Sequence, residues 1–235
     1  MKLSKKALIA AAVTGTLPVS TQGAALNDNL VLNPSFENVD AAGSAADWAG
    51  NVSTYAYSQN YTGPAPAGAG SFYWHGGGAD PLASQLFDLT GNASVIDAGR
   101  LGYSLSAFFS TYLDQKDYAT VRALFLDSGN SQIGSASVGG LVFVSGLPLV
   151  DNGTYPNAHS WGQDALTGLV PAGTRSIRLE VDGDKDPTVG TAVDGYVDLV
   201  NLQLVSVPEP GTMPLVALGF GLAGGWLFAR GRRRR

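Results

Sequence analysis

Nowhere between residues 26 and 206 does the chain sustain the apolar period of an amphipathic helix over twelve residues. Short apolar segments recur instead, parted by Gly, Ser, Thr and Asp. Segments of roughly four to eight residues suit strands, whose side chains alternate between two faces. The expected strands are Leu30-Val31-Leu32, Ala83 to Leu89, Gly102 to Phe109, Ala119 to Asp127, Ser135 to Val144, Ser176 to Val181 and Tyr196 to Val205. Ile177, Leu179 and Val181 interleave with Ser176, Arg178 and Glu180, which gives that strand one apolar face. Val200, Leu202 and Leu204 do the same for the last strand. Strands spaced this way, with turn residues between them, read as an all-β antiparallel sandwich or jelly roll. The middle of the chain is long enough for one domain with a core of its own.

Both ends differ from this middle. Lys2, Lys5 and Lys6 precede an alanine-rich apolar run from Ala7 to Val13, and no acid appears before Asp28. A basic start, a short apolar run and small residues at a cleavage point make a secretory signal peptide. Gly23 and Ala25 stand at the −3 and −1 positions of a cut after Ala25. Residues 1–25 are therefore expected to be removed, with the Sec translocon and signal peptidase as partners. At the other end, Val207-Pro208-Glu209-Pro210-Gly211 is a stiff turn, since neither proline offers an N–H. Met213 to Ala229 follows, 17 residues without a charge, and then Arg230, Gly231, Arg232, Arg233, Arg234 and Arg235. A helix over 213–229 covers roughly 25 Å, which snorkelling arginines extend toward the ~30 Å of a hydrocarbon core. The arginines belong on the cytoplasmic side. The body, residues 26–206, is then expected beyond the inner membrane, with residues 207–235 as its tail.

Setting the ends aside changes the charge balance. Eighteen acids and six bases remain in the body, twelve negative charges net, and no cysteine occurs anywhere. Such a surface repels phosphate backbones, which argues against nucleic acid as a partner. Cations and neutral glycans suit it better. An exported domain without disulfides must be held by burial alone or with the help of a metal.

The tail, with Pro208-Glu209-Pro210, an apolar helix and a terminal arginine cluster in that order, resembles the PEP-CTERM sorting signal of Gram-negative bacteria. The resemblance implies recognition by an exosortase, a membrane-embedded cysteine transpeptidase-like enzyme. Processing near Pro208-Glu209-Pro210 would release or re-anchor the body at the cell surface or in the exopolysaccharide matrix. The body has its own resemblance. Asn29 to Glu37 (NLVLNPSFE) opens it and Gly195 to Leu204 (GYVDLVNLQL) closes it, with Val121 to Gly129 and Val170 to Leu179 between. This series is similar to the galactose-binding-domain-like jelly roll of many carbohydrate-binding modules. It implies two antiparallel sheets with the first and last strands close in space. It also implies ligand binding in general, not one ligand.

In such modules an acid after the first strand and another in the last strand share a structural Ca²⁺ with backbone carbonyls. Glu37 and Asp198 stand at those places. Calcium takes six to eight oxygens at about 2.3–2.6 Å. The alternative is that Glu37 caps a turn while Asp198 accepts from backbone amides. Asp182-Gly183-Asp184-Lys185-Asp186 opens like an EF-hand loop, but Pro187 stands where glycine is needed and Val193 where glutamate is needed. A solvated hairpin loop is expected there. Aromatic residues gather at Tyr55, Tyr57 and Tyr61 and at Phe72-Tyr73-Trp74-His75. Tyr73, Trp74, His75 and Trp161 are the candidate ligand contacts, because aromatic faces stack on sugar rings while a few polar groups select hydroxyls. Core filling is their alternative role.

No catalytic constellation emerges. His75 and His159 are the only histidines; they lack zinc spacing, and no serine sits in a nucleophile elbow. The sequence thus points to a non-catalytic surface or matrix protein whose body contacts exopolysaccharide. A purely structural biofilm component is the second reading, and an exported hydrolase is the third.

Overall fold

Side-chain alternation, realised strand by strand, builds two facing sheets. The computed structural model describes residues 19–20, 24–50, 52–77, 82–113, 115, 117–185 and 192–208. Most of the expected signal peptide, Glu209, Pro210, the apolar run 213–229 and the terminal arginines lie outside these residues. Among the described residues no helix is long and apolar enough to cross a membrane.

In chain order the strands are β1 (Val19–Ser20), β2 (Ala49–Gly50), β3 (Thr54–Ala56), β4 (Phe72–His75), β5 (Leu82–Asp88), β6 (Leu101–Thr111), β7 (Tyr118–Leu126), β8 (Gln132–Gly139), β9 (Leu149–Val150), β10 (Ala158–His159), β11 (Gly162–Leu169), β12 (Ser176–Asp184) and β13 (Gly195–Ser206). Two short helices, α1 (Ala93–Asp97) and α2 (Leu141–Ser145), join them. The first sheet runs β1-β5-β12-β7-β8, with β2 also on β5, and the second runs β11-β6-β13-β4-β3. Every pairing is antiparallel except that of β1 with β5. β9 and β10 form a separate two-stranded ribbon.

The core lies between the sheets. Ile177, Leu179 and Val181 of β12 are fully buried there, opposite Phe125, Ala123 and Val121 of β7. Leu105, Val200, Leu202 and Leu204 of the second sheet are fully buried in the same cluster. Tyr103 and Phe125 meet across the two sheets with ring centroids 5.1 Å apart. Each such aliphatic side chain contributes roughly 1.5–3 kcal/mol by leaving water. The sheets approach closely at the start of β13. A Cβ on Gly195 would stand 2.3 Å from the Tyr118 carbonyl carbon, so backbone meets backbone there.

Several expected boundaries shift for identifiable reasons. Leu30-Val31-Leu32 is not a strand. Its polar backbone is satisfied by side-chain amides: Gln85 accepts from Leu32 N at 3.0 Å and donates to Leu32 O at 2.7 Å. Asn29 accepts from Val31 N and Leu202 N and donates to Val200 O. The segment still lies along the last strand, through Asn27 N to Leu204 O at 2.8 Å and Leu30 N to Leu202 O at 2.9 Å. The strand expected to reach Val144 stops at Gly139. Gly139 and Gly140 take φ of 86° and 92°, which turns the chain into α2. In β13 the register slips between Asp198 and Asn201, with Leu199 at φ 50°. This bulge separates Asp198 from the inward trio Val200, Leu202 and Leu204. The acidic hairpin also begins later than expected, since Asp182 and Asp184 are still in β12.

Candidate ligand-binding face and buried carboxylates

Alternation along β4 sends Tyr73 and His75 to the outer side of the second sheet and Trp74 into the core. Register then assembles an aromatic layer, with Tyr55 of β3 opposite Tyr73 and Tyr196 of β13 opposite His75. Tyr55 stacks on His75 with centroids 3.5 Å apart and planes 8° from parallel. Tyr73 meets Tyr57 at 4.8 Å, Tyr196 at 5.0 Å and Trp161 at 5.3 Å. Tyr61 extends the layer to Tyr112 at 5.2 Å.

The layer has two tiers. Tyr73 and Tyr196 are fully buried and His75 nearly so. Tyr55, Tyr57, Tyr61, Tyr112 and Trp161 keep part of their surface in solvent. The upper tier is pinned by its loops: Trp161 Nε1 donates to Thr62 Oγ1 at 2.9 Å, and Asn152 Nδ2 donates to the carbonyls of Asn60 and Thr62 at 2.7 Å each. In the lower tier the Tyr73 and Tyr196 hydroxyls and His75 Nδ1 are buried without a hydrogen-bond partner among the described residues. A polar atom left in that state costs about 1–3 kcal/mol, so the layer holds unmet hydrogen-bonding capacity beneath its rings. Burial also pushes both tyrosine hydroxyls up, and it lowers His75 to about 4, so the imidazole is neutral at neutral pH.

Of the four candidate contacts, Trp161 reaches the surface, Tyr73 and His75 lie beneath it, and Trp74 is fully buried between the sheets. The direct-contact expectation therefore needs correction for Trp74, which alternation turns to the opposite side of β4. Tyr112 and Tyr196 are members that the sequence reading missed. Tyr196 was accessible to it, because the neighbouring Val197 is the apolar, inward residue.

Glu37 and Asp198 come together around Tyr57. Asp198 is completely buried; its Oδ2 accepts from the Tyr57 hydroxyl at 2.7 Å and its Oδ1 from Leu199 N at 2.7 Å. Burial raises its carboxyl to about 7 despite these bonds, and the charge of Glu37 adds to the rise. Glu37 Oε1 accepts from Ser71 N and Phe72 N at 2.8 Å each. Its carboxyl lies over the bare Cα of Gly70, where a Cβ would come within 2.1 Å of Glu37 Cδ. Among the described residues no group of three His, Cys, Asp or Glu is placed to hold a metal. Any cation here would therefore draw on these two carboxylates and on backbone oxygens.

The other singled-out polar residues are engaged locally. Asp182 pairs with Arg122 at 2.7 Å and Asp184 accepts from the Tyr118 hydroxyl at 2.7 Å. His159 Nδ1 meets the Leu113 carbonyl oxygen.

Fold and face together define an all-β sandwich with an aromatic outer surface on its second sheet. The chain also carries the PEP-CTERM protein-sorting motif, matched over residues 206–234. No curated protein matches it. Among solved structures it is similar to a family 16 carbohydrate-binding module, with 18% identity over 74% of this chain and 99% of that one and a TM-score of 0.45. The C-terminal family 22 carbohydrate-binding module of Clostridium thermocellum Xyn10B gives 13% identity over 78% and 97%, with a TM-score of 0.39. The enzymatically active domain of bacteriophage CBA120 tailspike protein 4 gives 16% identity and a TM-score of 0.42, and this chain spans 21% of its length.

Proposed function

We propose that this chain is an exosortase substrate exported to the cell surface or extracellular matrix, where its body acts as a non-catalytic module contacting exopolysaccharide. The observation that carries the polysaccharide part is the two-tiered aromatic layer: half-buried rings above, and three buried polar atoms without partners among the described residues below. Trp161, Tyr61 and Tyr112 stack on sugar rings, and Tyr55 on His75 completes the platform. The net negative body favours neutral or cation-bridged glycans over anionic ones. The sorting motif supports export and processing at the tail.

A divalent cation, of which calcium is the candidate, belongs to the same reading. A fully buried carboxyl raised by burial and by a second carboxylate is a group that a hard cation stabilises. Glu37 and Asp198 would hold it and tie the start of the body to its last strand.

Affinity electrophoresis of the exported protein through gels containing host exopolysaccharide tests the glycan reading. Retardation that Trp161→Ala abolishes supports it. Unretarded migration at millimolar glycan would remove the sugar-contact part. Intact-mass analysis of protein from the surface and medium tests the sorting. Loss of residues 1–25 and of the segment after about 207 is expected, whereas retention of 213–235 would mean a plain anchor.

A further inference from the structure

Charge is unevenly distributed along the body. Between Asp127 and Arg175 the only formal charges are Asp151 and Asp164. That stretch builds β8, α2, β9, β10 and β11, and β8 and β11 are terminal strands of the first and second sheets. The two edges lie side by side, since Asp164 Oδ2 of β11 accepts from Gly139 N of β8 at 2.8 Å. The same stretch carries six of the eight large apolar side chains left exposed among the described residues: Ile133, Leu141, Val142, Leu149, Leu166 and Leu169. Val142 is 90% exposed and Leu169 57%. This stretch of an otherwise acidic body is therefore nearly uncharged and carries most of the exposed large apolar side chains among the described residues.

Open edges invite pairing with another chain, and natural sheets blunt them with lysine, proline, bulges or a covering segment. β11 pairs with β6 on one side, and its eight residues contain no proline and no base. Its single acid, Asp164, is engaged by Gly139 N and, at 2.9 Å, by Ala165 N. From Ala165 to Leu169 the strand offers neither charge nor proline, and Leu166 and Leu169 are exposed along it.

We infer that β11 pairs antiparallel with the β11 of a second copy, joining their second sheets across a two-fold axis. The occupant follows from charge and symmetry. The body's net twelve negative charges make two copies repel through most orientations, whereas β11 itself brings a single acid, Asp164, already engaged by two backbone amides. An antiparallel strand edge is self-complementary, as an isologous contact requires. Leu166, paired with the core residue Leu105, and Leu169, paired with Gly102, then lie on opposite faces of the joined sheet, so each face has an exposed leucine near the seam. The contact does not depend on glycan binding, because β11 is an edge and the aromatic layer is a face.

The absence of native cysteine gives a clean test. Thr167→Cys on β11 and Ser58→Cys, beside the aromatic layer, are each introduced into the full chain, purified in mild detergent and treated with a short bismaleimide. T167C is expected to give a covalent dimer of this chain alone, while S58C stays monomeric. Adding L166K and L169K to T167C is expected to abolish the dimer without shifting the melting temperature of the fold. The inference is overturned if T167C cross-links no more than S58C, if the dimer survives the two lysines, or if mass spectrometry finds a different protein in the cross-linked band. Polysaccharide retardation is expected to be unchanged in T167C, so failure of either reading is visible separately.

Discussion

Replacing Asp198 by Asn tests whether a buried acid sets the pH response of this fold. In the folded state the Asp198 carboxyl is raised from 3.8 to about 7, mainly by burial. A carboxyl raised on folding favours the protonated native state. Its stabilising contribution is complete below 3.8 and disappears as pH rises through about 7. A shift of about three units corresponds to roughly 4 kcal/mol. His75 works in the opposite direction, because burial lowers it from 6.5 to about 4 and stability grows as pH rises through that range. The wild-type curve alone would conceal both effects, so the informative quantity is the difference between variant and wild type. Asn keeps an oxygen for Leu199 N and an amide to face the Tyr57 hydroxyl, but it does not ionise. In chelator-treated protein, urea unfolding should show Asp198→Asn within about 1 kcal/mol of wild type near pH 4 and more stable by about 4 kcal/mol at pH 8. A difference that stays constant between those pH values would refute the assignment.

Three further outcomes are expected. Tyr57→Phe removes the hydroxyl donor to buried Asp198; it should cost about 1–3 kcal/mol in urea melts, more at pH 8 than at pH 5. Gly195→Ala forces a Cβ against the Tyr118 backbone; a loss of about 3 kcal/mol is expected, read as a fall in the thermal midpoint. Calcium added to chelated protein should raise the melting temperature, and Glu37→Gln should cancel that rise; an equal rise in the variant would exclude Glu37 as a ligand.

The strands that were readable in the sequence are those where one face is buried and the other is not. β12 is the clearest case, since Ile177, Leu179 and Val181 alternate with Arg178, Glu180 and Asp182 and the apolar core takes only the first set, while Glu180 is buried beside Arg122. Segments whose backbone is satisfied in other ways left no such signal. Leu32 is held by the Gln85 carboxamide, a contact 53 residues away that no local pattern announces. β11 lacks alternation because, as an exposed edge, it buries little on either side. In the candidate site, Trp161 and the Tyr55, Tyr57 and Tyr61 group could be read as a cluster of residue types. Their union with Tyr196 and Tyr112 depends on sheet order. The two-tier arrangement depends on loop packing, and the separation of Asp198 from the inward residues of β13 depends on one left-handed residue, Leu199.

β13 is the last strand in the chain and the middle strand of its sheet, with β6 on one side and β4 on the other. Residues 26–30 also pair with it, so the opening of the body waits on its end. Contacts between such distant positions form late, because the intervening chain must first be ordered. A chain passing through a channel from its N-terminus therefore cannot complete the second sheet until residue 206 has emerged. Closure brings residues 26–30 beside the end of β13, so cleavage after residue 25 and after residue 207, as proposed, would fall at one pole of the body.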